Sequence, residues 1–170
     1  MKKAVKVSKT PATRVLRSHG VGYTEHVYDY VDHGGTAESA RQLGVDEHAV
    51  VKTLVMQTDR GDPFIVLMHG DRNVVTRELA RAIGVKSVQP CTPADAQRHS
   101  GYMVGGTSPF GTRKPLPVCV EASVLELPAG SDQRRPARLP GRHRARRARH
   151  AARRHAGALR VVTAPGAGAE

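Results

Sequence analysis

The chain has 170 residues, the length of one ordinary domain, with 39% apolar and 25% charged residues and a formal net charge of +12. That apolar fraction can build a packed core, which excludes a wholly disordered protein, and no run approaches the roughly 18 apolar residues of a membrane-spanning helix. Cys91 and Cys119 are too few for a disulfide framework and stand in no Cys-x-x-Cys or Cys/His spacing for zinc. The N-terminal Met1-Lys-Lys-Ala-Val-Lys-Val carries charge without an apolar stretch behind it, so no secretory signal and a cytoplasmic location are expected.

The charge is uneven. Residues 1–128 hold 16 Lys+Arg against 13 Asp+Glu, whereas residues 129–170 hold 11 Arg against 2 acidic residues and no aromatic. In that tail only Leu139, Leu159, Val161 and Val162 are sizeable aliphatics. Such a composition cannot offset its ordering entropy, and the tail is expected to be disordered. At face value Arg134–Arg154 is a phosphate-binding arm.

Along the body, Thr10 caps a helix with Pro11 in its first turn, Val15 and Leu16 face inward, and Gly20 stops it. Tyr23–Tyr30 is expected as a strand from its Tyr and Val content. His33-Gly34-Gly35 turns the chain, and Thr36 caps a helix that ends at Gly44. Two β-rich runs, 49–57 and 64–68, flank the turn Asp59-Arg60-Gly61-Asp62 and form an antiparallel hairpin. A helix over 77–83 ended by Gly84, a short strand over 86–88, a second capped helix from Thr92 to His99 and a strand over 118–120 complete an α+β pattern.

Lys52 is the most informative single residue, a charge inside a mostly apolar strand. Such a lysine can anchor a phosphate, polarise a carbonyl or act as a base; position alone fits an outward-facing lysine on a half-exposed strand at least as well. The segment 101–117 carries Gly105, Gly106 and Gly111, glycines that let backbone amides approach a ligand or simply make a tight turn. It contains neither a P-loop nor a dinucleotide fingerprint, and Ser108, followed by proline, is no nucleophile elbow. The histidines, His26, His33, His69 and His99 among them, show no metal-ligand spacing and read as surface or satisfied core residues. Tyr28 lines a pocket or packs in the core.

Taken together, Val50-Val51-Lys52-Thr53-Leu54 and Gly101-Tyr102-Met103-Val104-Gly105-Gly106-Thr107-Ser108-Pro109-Phe110-Gly111 resemble the YbaK/EbsC family of Cys-tRNA(Pro) deacylases, relatives of the editing domain of some prolyl-tRNA synthetases. The similarity runs from about Thr10 to Pro128. It implies a mixed β-sheet curled into a barrel-like core flanked by helices, and hydrolysis of the ester between cysteine and the terminal adenosine of a misacylated tRNA. Carried over by position, Lys52 is the essential lysine, Tyr28 lines the pocket, and Gly105, Gly106 and Ser108 cradle the aminoacyl-adenosine. No cofactor and no metal are expected. The resemblance makes misacylated tRNA the partner, with prolyl-tRNA synthetase a candidate second one, and no membrane. It also implies that the substrate's own thiol attacks the ester, so that no protein nucleophile is required. Two rival readings are a catalytically inactive relative that binds tRNA or a synthetase, and a basic nucleic-acid binder driven by the tail.

The family continues with a strand and a loop near Ile-Asn-Gly-Gly-Arg-Arg-Gly, where this chain reads Ala129-Gly-Ser-Asp-Gln-Arg-Arg-Pro. Back-translating Asp132 to Arg144 and reading from the second base of the Asp132 codon allows Ile-Asn-Gly-Gly-Arg-Arg-Gly-Tyr (or Phe)-Leu-Val-Gly-Ile. The expected organisation is therefore an editing domain over 1–128, incomplete at its C-terminal side, and a frameshifted tail over 129–170.

Overall fold

The computed structural model describes residues 9–128 and the backbone of residues 159–162. Helix α1 (Pro11–Ser18) and helix α4 (Pro93–Ser100) begin as their sequences dictate. Thr10 accepts a bond from the Thr13 N–H, and Thr92 one from the Asp95 N–H, each at 3.2 Å. A proline follows each cap, where its missing N–H costs nothing. Val15 and Leu16 are half-buried rather than core. Helix α2 (Gly35–Leu43) and helix α3 (Thr76–Ile83) stop at Gly44 and Gly84, both in the left-handed conformation.

Thr36 is not the cap of α2. Gly34 takes that position without a side-chain bond, and a Cβ there would lie 2.8 Å from the Glu38 Cβ. The Thr36 hydroxyl, inside the helix, is free to bond elsewhere.

The sheet follows the order β3-β1-β2-β4-β5. Strands β1 (Val51–Thr58) and β2 (Pro63–His69) form the expected antiparallel hairpin, with Lys52 opposite Met68 and Met56 opposite Phe64. The short β3 (Val88–Pro90) pairs antiparallel with β1 two residues later than the sequence suggests. Strand β4 (Val118–Glu121) runs parallel to β2 after a crossover through α3 and α4. The mixed sheet flanked by helices is thus present; its pairings form an open ladder with β3 and β5 at the edges. Leu159–Val162 form β5, parallel to β4, so these four tail residues join the sheet despite the Arg-rich composition around them. The remainder of the 129–170 tail reading lies outside the described residues, as does any structure before Lys9.

Pleat alternation assigns the faces. Met56, Phe64, Val66 and Cys119 point to the side covered by Leu79 and Ala80 of α3, while Ile65 and Val118 pack on the other side against Leu116. Each such large apolar side chain contributes about 1.5–3 kcal/mol.

Tyr23–Tyr30 forms no strand: residues 21–31 are irregular, with Val27 75% and Tyr30 76% exposed. The aromatics do not alternate with polar residues, so no face exists to bury. Instead the Gln42 side chain satisfies the backbone of Asp29 in the manner of a strand partner, accepting from its N–H at 2.8 Å and donating to its carbonyl at 3.0 Å.

Candidate active site

Lys52 enters at the start of β1, on the pleat side of Leu54 and Met56. Its ammonium is partly buried and donates to the Gly70 carbonyl at 3.1 Å. Among the described residues it forms no ion pair, so its positive charge is held by a neutral acceptor. This end of the sheet gathers further polar groups. Thr36 Oγ1 donates to Glu47 Oε1 at 2.7 Å and lies 3.1 Å from the Gly70 carbonyl. The Gly70 N–H closes on the Val50 carbonyl at 2.7 Å.

Beside it lies a histidine pair. His69 is 1% exposed and stacks on His48, centroids 3.8 Å apart and planes within 10°. His69 Nδ1 faces the His48 carbonyl, which fixes Nδ1 as the donor, and Nε2 lies 2.8 Å from Ser123 Oγ. His48 Nδ1 in turn bonds Asp71 at 2.9 Å. Burial pushes the Asp71 carboxyl up, but the bond and charge of His48, with Arg72 nearby, hold it below the usual range. Ser123 and His69 resemble a hydrolase dyad in distance alone. The Ser123 hydroxyl donates to Glu121 Oε2, and Glu121 accepts the Ser123 N–H as well. That commits the hydroxyl proton to a carboxylate instead of presenting the oxygen to a substrate.

The glycine segment is a self-braced loop. Gly105 has φ +89°, and the Gly106 N–H is bonded to the Met103 carbonyl at 3.0 Å, closing a turn. Ser108 Oγ accepts the Phe110 N–H at 3.2 Å, and the Tyr102 hydroxyl donates to the Phe110 carbonyl at 2.6 Å. Burial raises the Tyr102 phenol above its ordinary value, against the opposing effect of the Ala12 backbone and the Ser108 hydroxyl. Gly111 fits against α1: a Cβ there would lie 2.6 Å from the Pro11 carbonyl carbon at a φ of +69°.

Of the residues singled out by sequence, Gly105, Gly106 and Ser108 share this loop. Tyr28 stands in the irregular segment at 45% exposure, whereas the ring of Tyr30 lies 3.7 Å from a Cβ built at Gly105. No hydrogen bond or ion pair among the described residues joins Lys52 to Tyr28 or to the loop. Lys52 and Leu116, at the far end of the glycine segment, belong to opposite faces of the sheet. Glu47, Gly70, Ser123 and Glu121 carry no local motif, and sequence reasoning missed them; Thr36 was read only as a helix cap and His69 only as a surface or satisfied core residue. The His-Gly-Asp run at His69-Gly70-Asp71, ending an apolar strand, was the available signal. His69 is a satisfied core residue, whereas His99 Nδ1 is buried without a partner among the described residues. Among the described residues no three His, Cys, Asp or Glu side chains could hold a metal ion, and no helix is long and apolar enough to cross a membrane.

Residues 33–132 match the aminoacyl-tRNA editing domain. Over 122 residues the chain is 32% identical to EbsC of Enterococcus faecalis, a protein named for Cys-tRNA(Pro)/Cys-tRNA(Cys) deacylation, covering 71% of this chain and 74% of that one. A proline–tRNA ligase of Levilactobacillus brevis is 29% identical over 100 residues, 57% of this chain but 17% of the ligase. A crystal structure described as a trans-editing enzyme for prolyl-tRNA synthetase superposes with a TM-score of 0.60 at 25% identity, over 71% of this chain and 78% of that one.

Proposed function

The chain belongs to the aminoacyl-tRNA editing domain family, and from that membership we propose that it is a trans-editing hydrolase that deacylates misacylated tRNA, with Cys-tRNA(Pro) as substrate. The observation that carries this reading is the Lys52 ammonium, partly buried and oriented by a carbonyl without being neutralised. Such a cation is suited to a phosphate or to the oxygen that gains charge as an ester carbonyl is attacked. Tyr28, Gly105, Gly106 and Ser108 are proposed to bind the aminoacyl-adenosine, with the Gly106 amide and the Ser108 hydroxyl shaping the loop rather than donating to the ligand. No metal or cofactor is required.

The chemistry uses the substrate. The cysteinyl sulfur, as thiolate, attacks its own ester carbonyl; an S–C bond forms, the C–O bond to the ribose breaks, and the ribose oxygen takes a proton. Water then opens the resulting thiolactone to free cysteine. The Ser123 proton committed to Glu121 supports a route without a serine nucleophile. Replacing Cys-tRNA(Pro) by Ser-tRNA(Pro) tests the step, since a hydroxyl is a far weaker nucleophile than a thiolate. Release of cysteine but not serine is expected, and equal rates would overturn thiol assistance.

A further inference from the structure

We propose that Gly70 and Thr36 are positioning residues for the Lys52 ammonium, Gly70 through its main-chain carbonyl and Thr36 through a hydroxyl braced on Glu47; this rests on the reading of Lys52 as the group that engages the aminoacyl end. A lysine head on a four-carbon stem is free to swing, and a site needs it pointed. A carbonyl oxygen has two lone pairs. One receives Lys52 Nζ at 3.1 Å, and Thr36 Oγ1 stands at 3.1 Å as well, its single proton shared between that oxygen and Glu47 Oε1 at 2.7 Å.

Gly70, which carries this carbonyl, cannot shift easily. Its N–H is tied to Val50 at 2.7 Å, and a Cβ at residue 70 would lie 2.7 Å from the Glu47 carbonyl oxygen and 2.8 Å from the Thr36 Cβ. Glycine is therefore required here by close approach. The acceptor is neutral, so it directs the ammonium while leaving its charge and two N–H donors for a ligand.

The test uses the full chain and four variants: Thr36→Val, Thr36→Ser, Gly70→Ala and Lys52→Ala. Two quantities are read, the NMR resonance of the Lys52 ε-methylene, assigned by its loss in Lys52→Ala, and kcat and KM for cysteine release from Cys-tRNA(Pro). Thr36→Val is expected to move the Lys52 resonance and lower kcat about tenfold, with KM little changed and Thr36→Ser restoring both. Gly70→Ala is expected to cost about 100-fold; should it fail to fold, Thr36→Val carries the test. An unmoved resonance and unchanged kcat in Thr36→Val, with activity lost in Lys52→Ala, would overturn the positioning alone. Full activity in Lys52→Ala would instead overturn the reading of Lys52.

Discussion

Substituting Gly111 by alanine separates two costs that the structure predicts will add. At φ +69° an L-residue is strained, by about 1–2 kcal/mol. The added Cβ also meets backbone, at 2.6 Å from the Pro11 carbonyl carbon and 2.7 Å from its oxygen. Backbone cannot yield as a flexible side chain does, so overpacking adds about 1–3 kcal/mol. Gly61 supplies the control: its φ is +82°, but nothing lies within 4 Å of a Cβ there. Gly61→Ala should show the conformational cost alone. Urea unfolding followed by circular dichroism reads the difference, and with a slope of about 1.5 kcal/mol/M the Gly111→Ala midpoint should fall about 0.7–2 M below that of Gly61→Ala. Equal midpoints would refute the claim that the glycine loop is seated on the start of α1.

Other expectations follow from the same contacts. Thr10→Ala removes the cap of α1 and should cost about 1 kcal/mol in chemical unfolding. Ser123→Ala strips the hydroxyl hydrogen bond from Glu121 and removes the oxygen 2.8 Å from His69 Nε2, and should destabilise by about 1–3 kcal/mol; cysteine release measured below its melting temperature should stay within a few-fold, and a loss of several hundred-fold would make Ser123 the nucleophile. The bond from Arg41, with a second from Gln42, lowers the Glu38 carboxyl from 4.5 to about 2. Its contribution is complete above pH 4.5 and lost as pH falls through about 2, so the stability advantage over Glu38→Gln should shrink across that window in acid unfolding. Reading residues 132–144 in the shifted frame should restore part of the family domain, raising both melting temperature and cysteine release; no gain in either would dispose of the frameshift.

Sequence made the helices legible because their signals are local: Thr10-Pro11 and Thr92-Pro93 at the starts, Gly44 and Gly84 at the ends. The hairpin was legible because its β-rich runs flank a turn. What failed was non-local. Tyr23–Tyr30 has strand-forming residues, yet among the described residues no strand runs beside it, and Gln42 serves its backbone instead. Thr36 looked like a cap because its type suits one, but a carboxylate eleven residues away takes its hydroxyl. Lys52 was visible as a misfit charge in an apolar strand. Its partner was not, because a main-chain carbonyl eighteen residues on has no sequence signature. The parallel β2–β4 pairing was hidden for the same reason.

The most direct test is the rate of cysteine release from Cys-tRNA(Pro) by the chain and by Lys52→Ala, both verified as folded. Removing a single charge-stabilising donor from such a site lowers turnover by about 100- to 1,000-fold, and a loss of that size in Lys52→Ala is the predicted result. Equal release by the two proteins, or release by the unaltered chain no faster than in buffer alone, would contradict the account.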